Sequence, residues 1–413
     1  SDHNQLTMEI MKKVALKHGL VCLLHEKPFA GVNGSGKHNN WSISSNDGQN
    51  LLDPGETPME NLQFLTFLCA IVKAVDEYAP LLRLSAASAG NDHRLGANEA
   101  PPAIISMFIG DELQGVLDAL ESGKPYKPNE DKTFEIGVDA LPNFPKDTTD
   151  RNRTSPFAFT GNKFEFRMLG SADSISCTNV IMNTIFAEVI SEFADELEKA
   201  SDFKSALNAL LVKTVKEHKK VIFNGNGYSD EWIAEAEKRG LPNLVSTVDA
   251  IPHYTDEKYV RIFEKFKVYT KTELASRTEI LLENYYKVIN IEALTMLDMS
   301  KKLILPAAIE YTKLICETIV AKNTAGIDST LETKLANELS AITSSLGLAI
   351  NTLDEKRIAS KEHEDTVEGL ARYYREEVFV AMQSLRAVAD ELEMAMPAKY
   401  WPIPTYTDLL FTV

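Results

Sequence analysis

The stretch "GVNGSGKHNNWS", Gly31 to Ser42, decides how this chain is read. Its first residues nearly spell a phosphate-binding P-loop: Gly31, four residues, Gly36 and Lys37. His38, however, stands where Ser or Thr is required. The lysine of a P-loop also opens a helix, because the helix N-terminus helps to hold the phosphates. Here "KHNNWSIS" alternates instead. His38, Asn40, Ser42 and Ser44 fall on one face, and Asn39, Trp41 and Ile43 on the other. Period two predicts a strand, so the P-loop reading fails on the residue and on its context.

A chain of 413 residues exceeds one compact unit, and its 44% hydrophobic and 25% charged content is that of an ordinary globular protein. The formal net charge of −17 repels polyphosphate backbones and argues against a nucleic-acid partner. Any phosphate-bearing ligand must therefore meet a local cluster of cations or a metal. No run of eighteen apolar residues and no signal-peptide core occur, which predicts a cytoplasmic protein without a membrane span. Cys22, Cys69, Cys177 and Cys316 are scattered in apolar surroundings with no C-x-x-C spacing. They predict buried, reduced thiols rather than a zinc site or disulfides.

Residues 4–18 carry an apolar stripe at helical spacing, and "LVCLL" after Gly19 reads as a buried strand. "TPMENLQFLTFLCAIVKAVDEY" predicts a buried helix, and "SAGNDHRLGANEAPP" a Gly/Pro-rich loop. A further helix fits residues 111–121, inside an insertion of about 102–150 that ends in an irregular stretch. "KFEFRML" alternates again, with Lys163, Glu165 and Arg167 opposite Phe164 and Phe166. From Ser171 helix dominates. The segments from about 271 onward carry stripes that fit an antiparallel helical bundle. The expectation is an α+β chain: an antiparallel sheet with helices over 1–223, then a large all-helical region over 224–413.

Three segments place polar groups where chemistry needs them: the glycine-rich turn with His38, the loop with Arg94 and Glu99, and the strand with Lys163, Glu165 and Arg167. Imidazole and carboxylate suit a divalent cation such as Mg²⁺ or Mn²⁺. Guanidinium suits two-pronged capture of carboxylate or phosphate. Together they describe phosphoryl transfer to a carboxylate better than hydrolysis or redox chemistry. Taken singly, a structural histidine, a surface ion pair and a solvated strand edge account for each.

"KPFAGVNGSGKHNNWS" resembles the ATP-binding signature of the glutamine synthetases: Lys27-Pro28, a spacer, Asn33-Gly34-Ser35-Gly36-x-His38, three residues, Ser42. "NDHRLGANEAPP" is similar to that family's Arg-containing loop ending in Glu-Ala-Pro, one residue shorter. "DRNRTS" and "KFEFR" resemble its Asn-Arg-Ser segment and its Arg-x-Glu-x-Arg strand. The order is kept over residues 1 to about 185, and the insertion with the large helical region resembles the type III branch.

The resemblance implies His38 and Glu165 as metal ligands, and Asn33, Gly34, Arg94 and Arg167 as contacts for glutamate. It implies Asn40, Ser42 and Lys163 at the nucleotide, with Arg153 on the transferring phosphoryl group. Glu99 would sit on a flap that takes a proton from ammonia. The implied activity is ATP-dependent ligation of glutamate and ammonia through γ-glutamyl phosphate, by a homo-oligomer of two six-membered rings. A γ-glutamyl ligase for another amine and a non-catalytic member kept for assembly or regulation are the alternatives. Asn40 stands where many relatives have His, and Ala158 stands where a second phosphate-binding Arg is expected. In the family a small β-domain and most metal-binding glutamates precede the segment equivalent to residue 1. The 413 residues alone are therefore expected to hold an incomplete site.

Overall fold

A computed structural model describes residues 2–22, 24, 36–96, 100–126, 133–134, 144–145, 154–405 and 408. The chain divides into two compact units, residues 1–278 and 279–413.

In the first unit the elements run α1 (Asp2–Lys17), β1 (Gly36–Trp41), α2 (Leu62–Glu77), α3 (Ala79–Leu84), α4 (Ala89–Arg94), β2 (Met107–Phe108) and α5 (Gly110–Ser122). There follow β3 (Thr133–Phe134), β4 (Phe144–Pro145), β5 (Phe157–Phe159), β6 (Phe164–Gly170), α6 (Ser176–Leu197), α7 (Phe203–His218), α8 (Asp230–Lys238), α9 (Thr247–Ala250) and α10 (Glu257–Lys265). α11 (Lys271–Met299) crosses the division.

The fold is α+β, and its main sheet has the order β1-β6-β5-β2. The expected antiparallel pairing holds for β1–β6 and β5–β6, whereas β2 runs parallel to β5, so the sheet is mixed. The β5–β6 hairpin closes through Gly161, whose φ of 89° suits a residue without Cβ. Phe157, Phe164 and Phe166 are buried on its inner face. Phe157 stacks on Phe164 with ring centroids 4.7 Å apart.

α2 is apolar almost all round, and burial of Phe64, Leu65, Leu68, Ile71, Val72 and Val75 follows. It starts where the Asn61 side chain accepts from Phe64 N at 3.0 Å, and it packs on α6 and α7.

Three local expectations are corrected. The "LVCLL" stretch forms no strand at its described residues, and Val21 is 74% exposed. The stripe of residues 4–18 does form a helix, α1, on which Leu6, Ile10 and Val14 stand open. Both patterns mark apolar surface. The segment read as a loop around Arg94 contains α4, because Ser88 Oγ accepts from Asn91 N at 3.2 Å and caps a turn of helix. Of the cysteines, Cys69 is buried and Cys316 is exposed.

Residues 224–278 pack on the first unit, although their sequence groups them with the helical region. Arg83 Nε donates to Leu244 O at 2.8 Å, Thr247 Oγ1 donates to Asp92 Oδ1 at 2.7 Å, and Ile109 N donates to Asn224 Oδ1 at 3.1 Å.

The second unit is helical: α12 (Leu305–Thr324), α13 (Thr330–Ala359), α14 (Val367–Tyr373) and α15 (Phe379–Ala395), with α12 and α15 each against α13. A π-helical turn, Ser300–Ile304, leads into α12 just before Pro306, whose nitrogen has no proton to donate. Among the described residues no helix is long and apolar enough to cross a membrane.

Candidate active site

Alternation on β1 sorts its side chains. Asn39 and Trp41 turn inward onto α6, where Asn39 Nδ2 donates to Asn179 Oδ1 at 2.8 Å and Trp41 Nε1 donates to Asn183 Oδ1 at 3.0 Å. His38, Asn40 and Ser42 are left on the exposed face. On β6 the buried Phe164 and Phe166 leave Glu165 on that same face, with Asn40 directly opposite it. Lys163 precedes β6, beside Ser42, whose Oγ donates to Asn50 Oδ1 at 3.0 Å and to Asn162 O at 3.1 Å.

Three groups converge. Arg167 Nη2 and Nε donate to Glu165 Oε2 at 3.1 and 3.3 Å, and the same oxygen lies 3.7 Å from His38 Nδ1. Arg167 is almost fully buried and Glu165 largely so, while the His38 side chain is 56% exposed. Partial burial and the adjacent Arg167 guanidinium push His38 below its ordinary 6.5, against the pull of Glu165. The shift favours the neutral imidazole, the form that ligates a metal.

These residues fit the divalent cation that the family uses. Ligand atoms about 2.1 Å from one cation lie roughly 3–4 Å apart, and the Nδ1–Oε2 separation of 3.7 Å falls in that range. Among the described residues no group of three His, Cys, Asp or Glu gathers to hold a metal, so His38 and Glu165 could supply at most part of a ligand set.

The register explains the convergence. Lys37 pairs with Leu169 and Asn39 with Phe166, so Arg167 and Met168 together face His38. That is a β-bulge with its extra residue on β6, a device that re-aims side chains.

Arg94, expected at the substrate, lies on α4 with its guanidinium 3% exposed and turned onto β6. Nη1 donates to Asn91 Oδ1 at 3.1 Å, to Met168 O at 3.0 Å and to Leu169 O at 3.3 Å, and Nη2 donates to Arg167 O at 3.0 Å. Gly36 makes room for it, since a Cβ there would lie 2.1 Å from Nη2. This glycine of the glycine-rich turn thus admits the Arg94 side chain. Asn33, Gly34, Glu99 and Arg153 lie outside the described residues.

Sequence reasoning passed over Asn91, whose partners are remote in the chain. It also passed over Asp173, whose carboxylate accepts from Gly170 N at 3.2 Å and whose carbonyl accepts from Lys37 Nζ. An Asn three residues before Arg94 was the available sign for the first, and nothing local marked the second.

The profile described as "Glutamine synthetase, catalytic domain" matches residues 1–105, and "Glutamine synthetase C-terminal domain" matches residues 206–323. The chain is 48% identical to a glutamine synthetase of Butyrivibrio fibrisolvens over 421 aligned residues, covering 100% of this chain and 59% of the relative. The chain belongs to the glutamine synthetase family. A type-3 glutamine synthetase of Dictyostelium discoideum is 44% identical across 100% of this chain and 57% of its own length. One from Bacteroides fragilis is 38% identical across 100% and 58%. The chain thus spans a little under three fifths of these relatives. Glutamine synthetase likeness runs through both units, because the alignments cover the whole chain.

Proposed function

We propose that this chain carries part of the active site of an ATP-dependent glutamate–ammonia ligase serving nitrogen assimilation in the cytoplasm, with a homo-oligomer completing the site. The observation that supports it most is the meeting of an imidazole, a carboxylate and a guanidinium on one strand pair, at His38, Glu165 and Arg167.

Carboxylate and ammonia at neutral pH exchange a proton instead of forming an amide, so the acid must first be activated. A γ-carboxylate oxygen of glutamate attacks the terminal phosphorus of ATP and ADP leaves. Ammonia then attacks the acyl carbon, its surplus proton passes to a base, and phosphate departs. A Mg²⁺ or Mn²⁺ held by His38 and Glu165 would neutralise the charge of the ATP phosphates.

Arg167, which donates to Glu165, is assigned to the glutamate side-chain carboxylate, a group that a guanidinium suits. Lys163, Asn40 and Ser42 continue the polar face along the strands and are assigned to the nucleotide. Resemblance alone supports Asn33 and Gly34 at glutamate, Arg153 at the phosphoryl group and Glu99 as the proton acceptor. It also assigns Arg94 to the glutamate α-carboxylate, for which the guanidinium would exchange its bonds to β6.

Two facts support a site shared with residues beyond this chain: the relatives are longer, and the described metal donors here are two. The test is glutamine formation by the purified 413-residue chain beside an active holoenzyme that contains it. ATP-dependent turnover only in the second supports the reading, and appreciable turnover by the first overturns the shared site. Comparing ammonium with ethylamine as acceptor separates glutamine synthesis from ligation of another amine.

A further inference from the structure

Carbonyls of successive strand residues point to alternate sides, so one side chain cannot normally reach three in a row. On β6 it does. The Arg94 guanidinium takes the carbonyls of Arg167, Met168 and Leu169, at the stretch where the extra residue of the bulge faces His38. All three accept from the guanidinium around the bulge, and a buried carbonyl without a donor is costly.

Asn91 holds this arrangement from behind. It is fully buried, its Nδ2 donates at 2.6 Å both to Met168 O and to Ala86 O, and its Oδ1 receives Arg94 Nη1 at 3.1 Å. One amide therefore ties the turn before α4, the bulged strand and the guanidinium together. Its three side-chain bonds use both donor hydrogens and one acceptor site.

We propose that Asn91 is a positioning residue: through Arg94 and Met168 O it pins the β6 bulge and so sets the distance between His38 and Glu165. Asn91 touches neither of them, and its effect passes through the backbone of residues 167–169. The bulge assignment stands on the geometry, and its bearing on metal rests on the function proposed above.

The test uses Asn91→Ala and Asn91→Asp. The second keeps the shape and the acceptor for Arg94 but leaves the carbonyls of Ala86 and Met168 facing an anion, and it carries the experiment should the alanine variant not fold. Hydrogen exchange of the chain is read in peptides covering residues 36–44 and 163–170, with residues 62–77 of α2 as reference. Exchange about tenfold faster in the first two, with the reference unchanged, is expected. Equal acceleration everywhere, or none, overturns the proposal, since a merely stabilising asparagine would loosen all three alike.

In the active holoenzyme, Mn²⁺ binding followed by electron paramagnetic resonance supplies the second readout. Asn91→Asp is expected to weaken about tenfold the Mn²⁺ that His38→Ala removes, the lower end of what outer-shell partners contribute. Unchanged affinity overturns the link to metal. Selective exchange at the bulge together with unaltered Mn²⁺ binding in His38→Ala sinks the functional reading and leaves the bulge assignment supported.

Discussion

Asn40 of β1 lies directly opposite Glu165 of β6, on the face that also bears His38, Ser42 and Arg167. That register places the carboxylate between a neutral amide across the ladder and a guanidinium two residues along its own strand. Glu165 is therefore the hinge of the electrostatics: it neutralises Arg167 and faces His38 with the same oxygen.

Replacing Glu165 by Gln keeps the volume and removes the charge. In the active holoenzyme, turnover is expected to fall at least about 100-fold, since a metal that stabilises transferring phosphate contributes several kcal/mol. Glu165→Ala adds a penalty, because it also removes the side-chain oxygen that accepts from Arg167. Initial rates of glutamine formation and Mn²⁺ titration of both variants measure this. Wild-type turnover in Glu165→Gln would favour a member of the family retained for assembly.

The pH dependence of metal binding follows from His38. Burial and Arg167 push its proton affinity down, so the neutral ligand form persists below the ordinary value of 6.5. Protons then displace metal only once pH falls through that depressed value. Arg167→Gln removes one of the two main causes, so the midpoint for loss of Mn²⁺ is expected to move to higher pH. A titration of bound Mn²⁺ from pH 8 to 5 reads the sign directly. A midpoint that stays put or moves down removes the assignment of His38 as ligand.

Much of this face was legible in the sequence because period two is a local property. "KHNNWSIS" and "KFEFRML" each announce which residues share a side, and the structure sorts His38, Asn40 and Ser42 from Asn39 and Trp41 accordingly. The bulge was not legible. It is a mismatch between two strands more than 120 residues apart, visible only when Lys37 meets Leu169 and Asn39 meets Phe166. The posture of Arg94 was hidden for the same reason, since its carbonyl partners belong to another element. "LVCLL" misled in the opposite direction: an apolar run states that surface wants cover, not which element supplies it.

Thiol reactivity should separate the cysteines sharply. Burial pushes the Cys69 thiol up to about 12, while Cys316 is exposed on α12. The thiolate is the reactive form. Native chain treated with iodoacetamide at pH 8 is expected to alkylate at Cys316 within minutes and to leave Cys69 intact until denaturant is added. Peptide mass spectrometry quantifies both. Early modification of Cys69 would show that α2 is not packed as described.

Gly36 offers the sharpest test of the packing beneath the site. A methyl group at this position would overlap the Arg94 guanidinium, whose retreat is opposed by Asn91 Oδ1 and by the carbonyls of residues 167–169. Gly36→Ala is expected to cost about 1–3 kcal/mol, the usual penalty of an overfilled core, in urea unfolding followed by tryptophan fluorescence. Shortening the obstacle should relieve it. In an Arg94→Ala background the same glycine change is expected to be nearly neutral, so the two substitutions couple strongly instead of adding. Additive effects would mean that Gly36 and Arg94 do not share the space assigned to them, and the pinned bulge would lose its support.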